Sequence, residues 1–591
     1  PPAYDDIPAT DHEAGLYQGG LPEAFPIETE RFDQLAVEGE NTLAIQIHNR
    51  FITSSDLSSN FFLSLGINDA SREYEDTPDW FFEPFVFTST NLPLIRINTF
   101  GGPIVDEPKT AANMQIVDNG GGALNFLDDP ATDYNGRISI EIRGASSQLF
   151  DKKNYGFETQ LANGENNNVS LLGLPEENDW ILHGPYTDKS LIRNALTFQI
   201  GRDMMDYASR TVFCDLVING DYRGVYLLME KIKRDNNRVD IARLRPEDIA
   251  GDELTGGYIV QIDRDDPNTE EDGWYSPYGN NPFYAYHSPS QNQLMPEQRR
   301  YIRNWITDFE LAMVQATFAR TYEDYIDVAS FIDYFLINEL AKHIDAFKLS
   351  FYMYKEKDSD GGKLHMGPIW DFNLGYGNFD FDCNPNANGW IYPCTSRAFW
   401  LQKILSIGAV QDRMYCRWRG LRQGSLSNAN LMNRIDSMVG VLGPAVDANF
   451  SQFDILGEYI WPNNFVGDTH AEEIVFLKNW LTQRLSWMDA NMFGDPTVDC
   501  NLILDTEDFE ESLVGLKVYP NPFTDQITFS LENESFREGE IFVYDMFGNL
   551  INRFGLKDLY NLNVAKLPVG MYFYEFRKGQ ERLQQGKVLK Q

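Results

Sequence analysis

Three groups of residues have the types and spacing for chemistry on a phosphorylated ligand. The first is Arg143-Gly-Ala-Ser-Ser147, between two strand-like runs. Gly144 and its small neighbours let backbone N–H groups approach an anion closely. Ten residues after Arg143, Lys153 opens an apparent strand with Tyr155 and Phe157. A small-residue turn followed by a strand lysine is one way to cover and neutralise phosphates; a plain hairpin with a surface lysine is the alternative. The second group, Met229-Glu-Lys-Ile-Lys-Arg234, leaves the strand Gly224–Leu228. It can present backbone groups to a flat ligand, or be a solvated charged loop. The third group is the most informative. Asp345 follows an amphipathic helix, and Gly367-Pro-Ile-Trp-Asp-Phe-Asn-Leu-Gly-Tyr-Gly377 comes after it, with Asp371 and Asn373 two apart. In an extended segment these two share one side. Oxygen ligands without His or Cys suit Mg²⁺ or Ca²⁺, and Asp345 is then placed to orient a hydroxyl or take its proton. A capping Asp and a turn Asp beside aromatic core residues are the structural alternative. Asp380 and Asp382 extend the acidic tract, as further cation ligands or as a solvated loop.

The elements that must position these groups are mixed. Strand-like runs occur at Arg137–Ile142, Val212–Ile218 and Gly257–Ile262, and Asn219-Gly220 marks a hairpin. Asp188–Met204, Pro296–Phe318, Val328–Ile344, Phe399–Arg422 and His470–Met492 carry helical periodicity. A β-rich lobe followed by a helical lobe points to a two-lobed enzyme. Residues 1–90 read as the back half of a truncated, jelly-roll-like β-sandwich, 91–500 as the main domain, 501–512 as an acidic linker and 513–591 as a small β-sandwich. The fold class expected is therefore multidomain α+β.

Composition narrows the function. The 591 residues carry 49 Lys+Arg against 88 Asp+Glu, a net charge of -39, which repels a phosphate backbone and excludes a nucleic-acid partner. No apolar stretch reaches the ~18 residues of a membrane span. The chain starts at Pro1 without Met, which puts its true N-terminus and any signal peptide upstream. Five cysteines without a C-x-x-C pair argue against a zinc site. Cys383 and Cys394 bracket a short loop, where a local disulfide suits an oxidising compartment and two unpaired thiols are the alternative.

The three groups, in this order, resemble the spore coat protein H (CotH) kinase family, an atypical protein-kinase-like fold. The text that carries the resemblance includes Ile140-Glu-Ile-Arg-Gly-Ala-Ser-Ser147, Lys152-Lys-Asn-Tyr155, Leu171-Leu-Gly-Leu-Pro175, Glu177-Asn-Asp-Trp180, Asp188-Lys-Ser-Leu-Ile-Arg-Asn-Ala195, Gly224–Arg234, Gly256-Gly-Tyr258 and Gly367–Asn373. It covers roughly residues 93–490. The resemblance implies two lobes, ATP and Mg²⁺ (Mn²⁺ or Ca²⁺ as substitutes), and phosphoryl transfer to a protein Ser or Thr. By it, Lys153 looks like the phosphate-binding lysine, with Arg143, Gly144, Ser146 and Ser147 around the phosphates. Glu230 and Lys231 look like the hinge that meets adenine, Asp345 like the catalytic-loop aspartate, and Asp371 with Asn373 like the metal ligands. Asp188–Met204 looks like the αC helix. Two departures put efficient transfer in doubt. Asn373 stands where the family often has Asp, and Ser350, five residues after Asp345, stands where ordinary kinases have a metal-binding Asn.

The C-terminal residues resemble the type A sorting domain of the Bacteroidetes type IX secretion system, through Tyr519-Pro-Asn-Pro-Phe523, Val543-Tyr-Asp-Met-Phe-Gly548, Leu567-Pro-Val-Gly-Met-Tyr-Phe573 and Gly586-Lys-Val-Leu-Lys590. This implies handling by that machinery and a secreted or outer-membrane surface-attached protein. Two other readings compete with the kinase: a non-catalytic surface scaffold, and a calcium-stabilised carbohydrate adhesin using residues 371–382 and the N-terminal sandwich.

Overall fold

The computed structural model describes residues 85–265 and 273–500 and, of the tail, most of 516–590. The sandwich expected over 1–90 therefore lies almost wholly outside the described residues, as does the 501–512 linker. The chain divides into two units, 1–89 and 90–591.

The second unit is mixed α+β. Seven strands, β1 (Leu94–Asn98), β2 (Thr110–Val117), β3 (Tyr134–Arg143), β4 (Asn154–Gln160), β5 (Asp179–His183), β6 (Thr211–Ile218) and β7 (Asp221–Glu230), close into a barrel of order β1-β2-β3-β4-β5-β7-β6. All pairs are antiparallel except β1 with β6. Alternation decides the faces. Ile138 and Ile140, Tyr155 and Phe157, Trp180 and Leu182, and Tyr226 and Leu228 fill the interior. The residues between them, such as Ile181, Val225, Leu227 and Met229, join the second core outside. The same parity puts Glu141, Arg143, Asn154 and His183 on the outer face. Asn219 and Gly220 both adopt positive φ, 53° and 91°, which makes the two-residue turn between β6 and β7.

Helix α1 (Arg193–Met204) lies against that outer face. It starts later than the periodicity predicts, because Asp188 accepts hydrogen bonds from Ser190 and from the Arg193 N–H and holds 188–192 in a turn. A second sheet of order β9-β10-β8-β11-β12 comprises β8 (Tyr258–Asp263), β9 (Gly273–Tyr275), β10 (Phe283–Ser288), β11 (Phe351–Lys355) and β12 (Leu364–Met366). One face, with Tyr258, Val260, Ile262, Phe351 and Met353, packs into the helical core. The opposite face carries Ile259, Gln261, Asp263 and Tyr352.

The longer helices are α2 (Pro296–Val314), α3 (Val328–Ala341), α4 (Phe399–Leu405), α5 (Gly408–Gln423), α6 (Asn428–Leu442), α7 (Ala445–Gln452) and α8 (His470–Asn491), with single helical turns at Phe318–Thr321 and Tyr392–Thr395. The single helix predicted over Phe399–Arg422 is two, broken at Ser406-Ile407 where α4 ends in backbone bonds to Ser406. Helix α3 stops at Lys342, which takes a left-handed φ of 47°. Cys383 and Cys394 are bridged, as are Cys416 and Cys500, and Cys214 is a free thiol buried in the barrel. The tail forms a three-stranded and a four-stranded sheet around their own core of Phe529, Ile541, Val543 and Phe576. Among the described residues, no helix is long and apolar enough to cross a membrane.

Candidate functional site

The site lies where the end of β3, the end of β8, the turn after α3 and the 367–378 loop meet. The Arg143 guanidinium stands 5.7 Å from the centroid of Trp370, the residue before Asp371. Burial pulls Arg143 below its usual range, against the nearby Tyr352, Asp371 and Glu141 charges. Across β3–β4, Gly156 leaves the room: a Cβ there would sit 3.1 Å from Glu141 Oε1 and 3.7 Å from Arg143 Cδ.

Asp371 is in the left-handed region, φ 63°, and Phe372–Leu374 form one 3₁₀ turn. The segment is therefore not extended, and Asp371 and Asn373 do not share a side as a strand would place them. Asp371 stays accessible to water. Its carboxyl is nonetheless pushed up to about 6, first by the protein crowding it and then by the Asp345 and Asp263 charges, with Arg143 opposing. Asn373 Oδ1 is buried and has no hydrogen-bond partner. The loop is braced from two sides. The Phe372 N–H donates to Asn194 Oδ1 (2.6 Å), and Asn194 Nδ2 pairs with His183 Nε2 (3.0 Å). Tyr376 N–H donates to Ala341 O (2.6 Å), and its hydroxyl pairs with Thr197 Oγ1 (2.8 Å). Asn194 and Thr197 are one helical turn apart on α1, so α1 sets the pitch of this loop.

Asp345 is half-buried, with Lys348 Nζ 3.6 Å from one carboxylate oxygen and 3.8 Å from Asp382. His343, two residues before Asp345, is buried with neither ring nitrogen partnered, its ring 4.6 Å from that of Phe372. Burial pulls it down to about 4, so it is neutral at pH 7. Asp263 accepts from the Ser350 N–H (3.4 Å); burial, then Asp345, raises it. Asp371 thus stands near two other carboxylates, Asp345 and Asp263, and near the half-buried Arg143 guanidinium.

From Asp263 the face of β8 runs back through Gln261 to Ile259 in steps of about 6.8 Å. Gln261 Oε1 is buried and unpartnered. Ile259 joins Ile232, Val239, Ile241 and Tyr352 in a separate apolar cluster flanked by Trp370. The face therefore grades from aliphatic through carboxamide to carboxylate.

The other residues singled out from the sequence fall around this centre. Gly144 (φ 98°) starts the turn, and Ser146 and Ser147 open the 3₁₀ turn Ser146–Leu149. Lys153 Nζ donates to Gln148 O (2.8 Å) and Phe150 O (2.6 Å), so it holds this loop rather than projecting beyond it. Lys152 is the buried one. Its Nζ is 2.6 Å from Asn449 Oδ1, and desolvation pulls it down to about 7. Glu230 is fully buried and is taken up by Arg210 and the Tyr207 hydroxyl. Lys231 is half-buried, 3.8 Å from Asp179. The Lys231 and Ile232 carbonyls accept from Arg238 and pair with His287 Nε2. The structure thus brings together Arg143, Asp345, Asp371 and the Asn373 loop, and ties Lys153 and Glu230 to their own surroundings. Sequence reasoning missed His343, Lys348, Gln261 and Asp263. The His-x-Asp spacing and the polar pair at i, i+2 closing an apolar strand were the available signals.

Among the described residues, no three His, Cys, Asp or Glu side chains are grouped to hold a metal ion. A hard cation held by one or two protein oxygens together with ligand phosphates needs no such cage. The orphaned Asn373 oxygen and the mutually repelling Asp371 fit that role.

A model of the CotH kinase protein family matches residues 140–488, and a model of the secretion system C-terminal sorting domain matches 517–591. No curated protein matches the chain.

Proposed function

The chain belongs to the CotH kinase protein family and carries a sorting domain for export, and on that premise we propose that its main domain, residues 91–500, is an exported atypical protein kinase. It transfers the terminal phosphoryl group of ATP to a Ser or Thr hydroxyl of a protein. The observation that carries this reading is Asp371, which lies near Asp345, Asp263 and the guanidinium of Arg143, a group with no ion-pair partner among the described contacts.

In this reading the lobes are the barrel with α1 and the second sheet with the remaining helices, and the nucleotide lies between them. The aliphatic end of β8 meets the base. Arg143 faces the phosphates, and the 144–150 loop, held by Lys153, covers them. Asp371 and Asn373 hold a divalent cation, which when bound neutralises charge on the phosphates. Asp345 orients the incoming hydroxyl and accepts its proton, while Lys348 keeps its carboxylate in place. His343, neutral and packed against Phe372, fixes the distance between Asp345 and the Asp371 loop. The protein substrate is recognised outside these residues, and the tail engages the type IX machinery to bring the enzyme to the cell surface.

A second reading, nucleotide binding without transfer, is favoured by Ser350. By the resemblance it occupies the sequence position where ordinary kinases have a metal-binding Asn, and its N–H donates to Asp263 (3.4 Å). Calorimetric titration of ATP into the full chain with and without Mg²⁺ tests both. Metal-dependent binding lost in Asp371→Ala and Arg143→Ala supports the site, and turnover on a protein substrate separates the two readings. No binding to the wild type sinks both.

A further inference from the structure

An open groove of about 700 Å³ lies apart from the residues above, between the 385–389 loop and one face of α8. Five consecutive carbonyls of that loop are held by three side chains. Pro385 O accepts from Trp480 Nε1 (2.9 Å), Asn386 O and Asn388 O from Lys342 Nζ (2.6 and 2.5 Å), and Ala387 O and Gly389 O from Arg484 Nη1 (2.8 and 2.6 Å). Lys342 and Arg484 are both buried, and Arg484 also pairs with the buried Glu339 (2.9 Å). Burying two cations to fix one loop costs more than it returns in stability. What it provides is a wall of defined shape, with Asn386 and Asn388 exposed on it.

The facing wall repeats the chemistry. Asn479 and Gln483 are exposed one turn apart on α8, and Asn464 closes the end. Among the described residues lining the groove, Glu472 is the one carboxylate, accepting from the Asp468 N–H (2.9 Å), and none is a cation. Phe465 and Phe476, stacked 4.4 Å apart, and exposed Val475 supply an apolar strip. A carboxamide offers donors and acceptors from one planar fork. A hydroxyl does both from one atom, so neighbouring hydroxyls on a ring satisfy it in either orientation. With no cation in the groove and a net charge of -39, an anionic polymer is disfavoured.

We propose that this groove binds a neutral oligosaccharide, and that the exported protein uses it to hold itself on a glycan-bearing surface. The site is independent of the nucleotide reading. The full chain is applied to immobilised neutral glucans, mannans, galactans and chito-oligosaccharides, alongside uronate-bearing and sulfated ones and extended uncharged peptides. Expected is retention by at least one neutral glycan. In Asn479→Ala/Gln483→Ala, affinity should fall at least about tenfold, as for two lost multi-bond contacts, with the melting temperature unchanged. Asn388→Ala, on the other wall, should weaken binding to the same glycan. Failure to retain any neutral glycan overturns the proposal. So does a preference for acidic glycans or peptides, or retention undiminished by the variants.

Discussion

Asp371 offers a test that reads the site through stability rather than activity. Its ordinary value is 3.8 and its folded value about 6. The folded state therefore holds the proton more tightly than the unfolded chain does. Below about pH 4 both states are protonated and the group contributes nothing. Between about pH 4 and 6 the folded protein loses stability, and above 6 the loss is constant. At 1.36 kcal/mol per pH unit the ceiling is about 3 kcal/mol. Because the carboxylate is open to water, screening reduces this to about 1 kcal/mol. Asp371→Asn removes the charge and keeps a residue that tolerates the left-handed backbone, φ 63°. The variant should melt about 1–2 °C above wild type at pH 7.5 and level with it at pH 4, measured without nucleotide. It should also lose Mg²⁺-dependent ATP binding, so stability rises as function falls. If the difference in melting temperature is the same at both pH values, or the variant melts lower at pH 7.5, carboxylate repulsion is not what perturbs Asp371.

Three further outcomes follow from neighbouring geometry. Gln261→Leu should weaken ATP binding about 2- to 10-fold, the effect of one neutral hydrogen bond, because its orphaned Oε1 lies midway along the β8 face; calorimetry on folded variant checks it. Arg484→Leu leaves Glu339 buried without its cation and should cost about 3–5 kcal/mol, seen as a lower urea midpoint. Cys416→Ser should destabilise more than Cys383→Ser, because the loops closed span 84 and 11 residues; the chain-entropy estimate is about 4.5 against about 3 kcal/mol, read from urea midpoints of the single variants.

The elements around the site were legible where one physical rule decided them. Asn219-Gly220 made its hairpin because positive φ at two positions leaves little choice. Barrel strands showed alternation, and α8 its period. The site itself was legible where a motif kept its members adjacent, as at Asp371-Phe-Asn373. What was hidden depends on register. Asp263 and Gln261 reach the site only because β8 pairs with β11 so that Gln261 faces Tyr352. Lys152 and Lys153 are neighbours with opposite fates, one buried against Asn449 and one bound to its own loop, and nothing local separates them. An extended 371–373 segment would put Asp371 and Asn373 on one side, but the backbone forms a 3₁₀ turn whose Phe372 N–H is taken by Asn194 on α1.

The same contacts bear on whether the site is in use. Several arrangements here are costly when nothing is bound. Asp371 is held beside two other carboxylates in a left-handed conformation. Asn373 Oδ1, Gln261 Oε1 and both His343 nitrogens are buried without partners, at roughly 1–3 kcal/mol for each such group. A domain kept only as a scaffold gains nothing from these groups, and a single change at each, to an apolar side chain of similar shape, relieves the cost. In the proposed reading Asp371 and Asn373 would hold a cation and Arg143 an anionic ligand, which would relieve the repulsion and give the Asn373 oxygen a partner. The departures at Asn373 and Ser350 remove one charge and one amide ligand from the proposed cation site, but they leave the orphaned oxygen and the lone guanidinium in place. If the proposed site holds Mg²⁺ through these residues, the first observable consequence is an ATP affinity that rises steeply with Mg²⁺ concentration in the millimolar range instead of saturating below it.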